Sequence, residues 1–251
     1  MKGEPILGDA KHERAPGCLV HSPPVRKDAA TVQAMFSDIA PRYDFLNHLL
    51  SLNTDRRWRR RAAALARPRG PVLDICTGTG DLAAAMAVAA GHTVLGLDFC
   101  APMLRRGRDK RSCASVRFLR GDALRLPVPS DRFDVVSVGF GIRNVADLDL
   151  ALREMVRVAR AGGRIAILEF TMPRNPVLRA LYGFYFGRVL PFIGNLVSRS
   201  RAYTYLNRSV LAWTGEAELR ERMQRAGCAS VSVHPLTFGI AAVHLGVKAG
   251  G

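Results

Sequence analysis

The stretch Pro71-Val72-Leu73-Asp74-Ile75-Cys76-Thr77-Gly78-Thr79-Gly80-Asp81 decides the fold. Val72, Leu73 and Ile75 read as a short buried strand, Gly78 and Gly80 as a tight turn, and Leu82 to Ala87 as the opening of a helix. A strand that ends in glycines and feeds a helix brings backbone close to a ligand and offers free N–H groups at the helix start. A second apolar run, Thr93-Val94-Leu95-Gly96-Leu97, ends in Asp98. An acid at that point can accept hydrogen bonds from both hydroxyls of a ribose. Together the two segments predict an α/β fold, a doubly wound sheet holding a nucleoside-bearing ligand. Taken alone, the stretch also allows a helix-capping turn with no ligand.

Two ligand classes share that outline. Gly78-x-Gly80-x-x-Ala83 fits the loose dinucleotide fingerprint. Asp74 inside the strand and Asp81 at the helix start argue against a pyrophosphate, which would meet carboxylate charge there. The same acids favour a sulfonium that carries an ammonium group. The acid-flanked loop therefore points to S-adenosyl-L-methionine.

Composition narrows the setting. The 251 residues suffice for one α/β domain with a sizeable core plus decoration. The five cysteines are odd in number and scattered, without a Cys-x-x-Cys pair, which argues for a reducing compartment and against a structural zinc site. The histidines are equally dispersed, so no metal is expected. A net charge of +16 implies an anionic partner: a membrane surface, nucleic acid or an acidic substrate.

Residues 1–29 mix Gly, Pro and both charge signs without apolar periodicity and read as a disordered leader; residues 30–251 read as a single domain. Val32, Met35, Phe36 and Ile39 have helical spacing and begin an N-terminal helical cap over residues 30–66. Within it, Asp55-Arg56-Arg57-Trp58-Arg59-Arg60-Arg61 is either a solvated helix face or a contact for lipid phosphates; one aromatic and no groove-reading motif disfavour nucleic acid. The cofactor core spans residues 71–170. It continues with a helix from Pro102-Met103-Leu104, a third strand at Val116–Leu119 followed by Asp122-Ala123, and a fourth strand over Asp131–Val138. Gly139-Phe140-Gly141-Ile142-Arg143-Asn144 leaves the carboxyl end of that strand, where ligands of open α/β sheets bind. A helix (Leu148–Val158), the turn Ala161-Gly162-Gly163 and a fifth strand (Arg164–Phe170) complete the unit. Residues 171–215 contain no acid, six arginines and a dense apolar set that includes Tyr182, Phe184 and Tyr185. They read as a helical insertion packed on the sheet, and their composition also suits a greasy substrate tunnel or a membrane-facing lid. Residues 216–251 predict a helix (Glu216–Ala226) and two antiparallel closing strands, around Ser230–His234 and Ile240–Leu245.

Several of these motifs together resemble the ubiquinone/menaquinone biosynthesis C-methyltransferase family, from about Val32 to Lys248. They are Phe36-Ser37-Asp38-Ile39-Ala40-Pro41-Arg42-Tyr43-Asp44, Leu73-Asp74 with Gly78-Thr79-Gly80-Asp81-Leu82, and Phe140-Gly141-Ile142-Arg143-Asn144-Val145. Leu168-Glu169-Phe170, Tyr203-x-Tyr205-Leu206 and the segment from Leu236-Thr237 to His244 complete the set. The glycine loop marks only a large superfamily, whereas the Phe140–Val145 segment and the tyrosine pair are narrower. The resemblance implies a Rossmann-like class I methyltransferase fold. It implies methyl transfer from S-adenosylmethionine to a ring carbon of a polyprenylated quinol, demethylmenaquinol or a benzoquinol. By position, Thr79, Asp98, Asp122, Ala123 and Gly139 would line the cofactor, with Asp74, Gly78, Gly80 and Met103 beside them. Arg143 would sit by the substrate hydroxyl through a water, with Asn144 and Tyr43 nearby as catalytic residues. Phe140, Tyr182, Tyr203 and Tyr205 would meet the acceptor. A cytoplasmic enzyme held peripherally on the inner face of an anionic membrane is the implied setting, and a homodimer is compatible with it.

Five places depart from the family's usual pattern. Gly139 stands where a serine is common, Leu211 and Leu245 replace arginines, Phe238 replaces a glycine, and Trp213-Thr214 stands in place of a His-Pro pair. Most lie in the acceptor-side half, so the donor is more firmly implied than the exact acceptor. Another lipophilic small molecule as acceptor, a nucleic-acid-binding protein and a nucleotide-dependent reductase are the competing readings.

Overall fold

The computed structural model describes residues 29–40, 43–51, 53–185, 188, 213 and 215–250. Three helices come first: α1 (Ala29–Ile39), α2 (Tyr43–Leu50) and α3 (Thr54–Ala66). They lead into β1 (Val72–Ile75), α4 (Asp81–Ala90), β2 (Val94–Asp98), α5 (Ala101–Arg108) and β3 (Val116–Arg120). β4 (Phe133–Gly139), α6 (Leu148–Val158) and β5 (Ala159–Phe170) follow, then α7 (Pro176–Phe184), α8 (Glu216–Arg225), β6 (Cys228–Leu236) and β7 (Ala241–Lys248). The strands form one seven-stranded sheet in the order β3-β2-β1-β4-β5-β7-β6. β1 to β5 pair in parallel, while β7 is antiparallel to both its neighbours. Strand order reverses at β1 and β4, so their carboxyl ends flank the crevice in which such sheets bind ligands.

Local chemistry explains the element ends. Gly80, at φ 87°, turns the chain from the loop into α4, and Gly91, at φ 70°, ends that helix with its N–H on Ala87 O. Asp147 caps α6 by accepting from Leu150 N–H, and Asn175 caps α7 by accepting from Val177 and Leu178 N–H, with Pro176 already at the helical φ.

Strand alternation divides the core. Leu73, Ile75, Val136, Val138, Ile165 and Ile167 pack with Leu152 and Met155 of α6 and Leu219 and Met223 of α8. Val72, Val135, Ala166, Leu168 and Val243 pack with Trp58 and Ala62 of α3 and Leu82 and Met86 of α4. The same period of two sets the acids: Asp74 belongs to the α3/α4 face with Val72, and Glu169 to the α6/α8 face with Ile167.

Three segments differ from the sequence expectation. The turn at Ala161-Gly162-Gly163 lies inside β5, where pairing steps from Phe133–Ala159 to Val135–Arg164 and Gly162 (φ 68°) absorbs the surplus chain. The closing strands are longer than expected, because their ladder runs from Cys228–Lys248 to Leu236–Ala241. The basic run of α3 is a solvated face only in part. Arg56, Arg57, Arg60 and Arg61 are exposed, but Trp58 and Arg59 are buried. Trp58 Nε1 donates to Thr237 Oγ1 at 2.8 Å, tying α3 to the turn before β7, and Arg59 pairs with Asp55 one helical turn away. The expected leader, and most of the insertion beyond α7, lie outside the described residues.

Candidate active site

One cavity opens at the carboxyl ends of the central strands. Of the residues singled out from the sequence, Tyr43, Gly78, Asp98, Met103, Asp122, Ala123, Phe140 and Asn144 line it. They come from α2, the glycine loop, the end of β2, α5, the loop after β3 and the loop after β4, so the sheet topology gathers them.

Asp98 is the best-defined group. Its Oδ2 accepts from Gly78 N–H and its Oδ1 from Cys100 N–H, each at 2.8 Å. These bonds fix the carboxylate and bind the glycine loop to β2, while each oxygen keeps lone-pair capacity for a ligand hydroxyl. Burial pushes the Asp98 carboxyl above the ordinary range, and the backbone amides pull it back. A ligand donating two hydroxyls would add to the amides' preference for the charged form. Asp122 Oδ1 accepts from Leu124 N–H at 2.9 Å, which orients it in the cavity wall next to Ala123. Gly78 holds φ 57°, and a Cβ there would come within 3.8 Å of Tyr43 Cε1, so the cap closes over the loop. Tyr43 stacks edge-on to Phe36, with ring centroids 6.1 Å apart. Burial, opposed by the hydrogen bond to Asn47 and by the Arg143 and Arg59 charges, raises its hydroxyl pKa, so the phenol stays protonated at neutral pH.

Four of the candidates for cofactor contact lie beside this cavity rather than in its wall, Asp74, Thr79 and Gly80 buried and Gly139 half-buried. Asp74 accepts from Thr77 Oγ1 and Ser137 Oγ, both at 2.6 Å, on the α3/α4 face. Burial pushes its pKa up to about 6. Thr79 Oγ1 donates to Asp44 Oδ1 at 2.6 Å and accepts from Lys110 Nζ at 3.2 Å. Gly80 faces Phe118 and Cys113. A Cβ at Gly139 would reach Leu82 Cδ2 at 3.0 Å, so the missing serine's space is bounded by that leucine. The electrostatic argument from acid-flanked glycines needs correction as well. Asp81 is paired with Lys110, and Lys110 also meets Asp44 at 3.2 Å. Asp74 and Asp81 thus organise the loop and dock the cap, which leaves Asp98 as the carboxylate in the cavity wall beside the loop.

The loop after β4 holds the groups that the sequence assigns to the acceptor. Phe140 adopts φ 58°, and its carbonyl accepts from Arg143 Nη1 at 2.7 Å. Arg143 is buried, with Nη1 also 2.6 Å from Glu169 Oε1 and the guanidinium carbon 5.4 Å from the Phe170 ring centroid. Arg143 therefore stands behind the cavity wall, anchored to β5, while its neighbour Asn144 forms part of that wall. Asn144 is 8% exposed, and neither its Oδ1 nor its Nδ2 has a hydrogen-bond partner among the described residues. A buried amide with both ends unpaired is costly unless a ligand completes it. Tyr182 of α7 is buried near both Arg143 and Glu169, and burial raises its hydroxyl pKa. Tyr203 and Tyr205 lie outside the described residues.

Sequence reasoning left Cys76, Cys100, Phe36 and Gly141 out of the site, yet all but Phe36 follow strands β1, β2 and β4 directly, and all four line the cavity. The signal was their place one or two residues past a strand end. A Cβ at Gly141 would lie 2.5 Å from Cys76 Cβ, so two crossing loops require glycine there.

Residues 25–248 match the ubiE/COQ5 methyltransferase family. The chain belongs to that family. It is 49% identical over 218 residues to a demethylmenaquinone methyltransferase of Thermus thermophilus, an alignment covering 84% of this chain and 99% of the relative. It is 44% identical over 225 residues to the ubiquinone/menaquinone biosynthesis C-methyltransferase UbiE of Geobacter sulfurreducens, covering 86% of this chain and 88% of the relative. Among solved structures, the fold is similar to an S-adenosylmethionine-dependent methyltransferase of Thermotoga maritima, with a TM-score of 0.64 at 19% identity over 86% of this chain and 99% of that one. The magnesium protoporphyrin IX methyltransferase of Synechocystis, solved with S-adenosylhomocysteine, has a TM-score of 0.61 at 17% identity over 88% of this chain and 100% of that one. S-adenosylmethionine dependence, a mostly parallel sheet and a methyltransferase activity come with family membership. The residues fit that donor: a left-handed glycine at the loop, a backbone-anchored acid at the end of β2 and a second acid after β3.

Proposed function

We propose that this chain methylates a ring carbon of a polyprenyl quinol, demethylmenaquinol in the first instance, using S-adenosylmethionine. The observation that carries the reading is the loop after β4, which sets the unpaired amide of Asn144 into the cavity containing Asp98 while Arg143 is anchored one residue away. Asp98 would take the ribose hydroxyls, Asp122 the adenine amino group, and the backbone at Gly78 the donor's amino-acid end, with Met103 and Ala123 as apolar walls. The donor supplies an electrophilic methyl group on a sulfonium. A quinol ring carbon attacks such a centre only when an adjacent hydroxyl gives up its proton and pushes electron density into the ring. A guanidinium stays protonated and cannot be that base. Arg143 would instead stabilise the developing phenolate and orient a water, with Asn144 and Tyr43 holding the ring in place.

The lipophilic tail needs a surface. Val177, Leu181 and Phe184 of α7 are exposed at spacings that form one stripe, flanked by exposed Arg174, Arg179 and Arg188. No helix among the described residues is long and apolar enough to cross a membrane. The stripe with its arginines suits peripheral contact with anionic lipid, on the cytoplasmic side where the donor is made. Sedimentation with anionic liposomes at low salt and release at high salt is expected; binding indifferent to both salt and lipid charge would remove this membrane contact.

A second reading keeps the donor and changes the acceptor. Phe238, at a position usually glycine in the family, holds φ 57° and is 81% exposed, so the turn before β7 differs where substrate specificity can be set. One experiment separates the two. Purified protein is incubated with radiolabelled S-adenosylmethionine and a lipid extract from a host lacking the quinone methylation step. Label in menaquinone or ubiquinone supports quinol methylation and names the ring; S-adenosylhomocysteine binding without transfer leaves the donor right and the acceptor different.

A further inference from the structure

Among the described residues, Glu169 presents an unusual pairing of cost and position. It lies on β5, an interior strand of the sheet, and is fully buried at 0% exposure. Its Oε1 accepts from Arg143 Nη1 at 2.6 Å and from Phe170 N–H at 3.0 Å. Its Oε2 is buried without any hydrogen-bond partner among the described residues. A well-packed apolar residue would be at least as stable there, since desolvating an ion pair costs about what the pairing returns. A carboxylate with one oxygen left open is therefore a candidate for a task in the reaction. Quinol methylation leaves one such task unassigned. The hydroxyl that activates the ring must release a proton, and Arg143 cannot accept it.

We infer that Glu169 is the positioning residue for Arg143 and the acceptor, through the water that Arg143 orients, of the proton released from the quinol hydroxyl. The inference rests on the quinol reading above. The hydroxyl O–H bond breaks and its proton passes by way of the water to Glu169 Oε2. The ring carbon then bonds the methyl carbon as the sulfur–methyl bond breaks, and the proton on that ring carbon moves to the oxygen, restoring the hydroxyl. Glu169 returns its proton to solvent before the next turnover. One quinol and one sulfonium thus yield methylquinol, thioether and one proton. Glu169 and Arg143 begin as an ion pair, and Arg143 ends facing the phenolate through the water beside a neutral acid, so charge moves within the site without appearing uncompensated.

The surroundings suit that task. Burial raises the Glu169 carboxyl above the ordinary range, opposed by the Arg143 guanidinium and by the backbone amides of Phe170 and Arg143, which moves a carboxylate closer to useful basicity. The ionisable groups facing it are Arg143 from the loop after β4, Tyr182 from α7, and Cys76 after β1, whose thiol is pushed up by burial and by the surrounding carboxylates, Glu169 among them. His244 pairs with Ile167 in the β5–β7 ladder, one alternate position from the Glu169–Ala242 pair. Burial lowers the His244 pKa, and the charges acting on it are those of Glu216 and Arg220 from α8 and not that of Glu169.

The test is turnover against pH for the full chain and two variants, with a short-tailed demethylmenaquinol and S-adenosylmethionine. Glu169→Gln keeps an oxygen for Arg143 and removes the proton acceptor. It should lower kcat about 100-fold, leave S-adenosylhomocysteine affinity within about twofold, and abolish the acid limb of the wild-type profile. Glu169→Asp should recover part of the rate together with an acid limb. A purely structural glutamate would lower folded protein or cofactor affinity and leave the limb where it was. Wild-type kcat in Glu169→Gln, or an unshifted acid limb, overturns the inference. If that variant does not fold, the wild-type profile decides: a kcat that is flat from about pH 5 to about pH 8 overturns it. No transfer to the quinol by the wild-type chain would remove the quinol reading and this inference with it, whereas the variant results bear on the inference alone.

Discussion

The two sides of the cavity, one proposed for the donor and one for the acceptor, are built by different means. From β1 to the loop after β3, the wall consists of short turns leaving parallel strands, and the key bonds join a side chain to backbone. Asp98 holds Gly78 and Cys100 N–H, and Asp122 holds Leu124 N–H two residues on. From β4 onward, the groups are held by side chains far apart in sequence. Arg143 meets Glu169, Trp58 meets Thr237, and Tyr182 reaches the same buried charges from α7. Backbone-anchored loops depend on the anchor and on glycines held at positive φ, while a buried ion pair fails when either partner is lost. The donor side should therefore respond to substitution in binding, and the acceptor side in turnover.

The strongest way to break that contrast is Arg143→Ala. Loss of the group proposed to stabilise the phenolate should lower kcat by about 10³-fold. Affinity for S-adenosylhomocysteine, read by calorimetry, should change little, because Arg143 stands behind the cavity wall. The variant also leaves Glu169 buried and unpaired, at about 3–5 kcal/mol of stability, so melting temperature is recorded alongside. A collapse of cofactor affinity instead would put the loop after β4 on the donor side.

Asp98→Ala tests the opposite half. The two ribose hydrogen bonds proposed for Asp98 are lost along with the anchor for Gly78 N–H, and cofactor affinity should fall about 100-fold. Turnover at saturating donor should stay close to wild type. Unchanged affinity would remove Asp98 from the site.

Asp74 sharpens the distinction between loop organiser and ligand contact. Its pKa is about 6 in the folded chain against an ordinary 3.8. Across that window the folded state holds the extra proton. Stability is therefore highest below the lower value, falls as pH rises through the window, and stays reduced above it, by an order-of-magnitude cost of about 3 kcal/mol. Urea unfolding of Asp74→Asn should lack that slope, with cofactor affinity preserved. A slope equal to wild type would show that another group carries it.

The smallest expected effect belongs to Gly80→Ala. Its φ of 87° disfavours any side chain, and a Cβ would sit 2.7 Å from Phe118 Cζ. The Phe118 ring also abuts Gly107, where a Cβ would lie 2.6 Å away, so it has no retreat on that side. A loss of about 2 kcal/mol by chemical denaturation is expected. A variant as stable as wild type would mean the ring moves freely and the donor loop is looser than its contacts indicate.

The contrast also explains what could be read in advance. β1, the glycine turn, β2 and Asp98 lie within residues 72–98, and each follows from apolar runs and glycines whose effect is local. The same holds for α6, where an amphipathic repeat follows a capping aspartate. Thr79 was legible as a loop residue but not as a partner of Asp44, thirty-five positions away, because nothing in the spacing announces which hydroxyl a folded cap will take. Arg59 looked like one of a solvated run until the helix phase turned it inward to Asp55. Glu169 was visible only as part of a family motif. Its burial, its grip on Arg143 and its open oxygen depend on β5 lying next to β4 and β7.

By itself, then, the sequence determined the alternation of strands and helices, the position of the glycine turn and the acid that ends β2. Those features depend on residues a few positions apart, through steric limits on φ and the periods of strand and helix. Only the tertiary structure decided which carboxylates face the ligand and which serve the scaffold. A carboxylate's task is set by the charges and donors within a few ångströms of it, and for Asp74, Asp81 and Glu169 the deciding partners came from other elements of the fold.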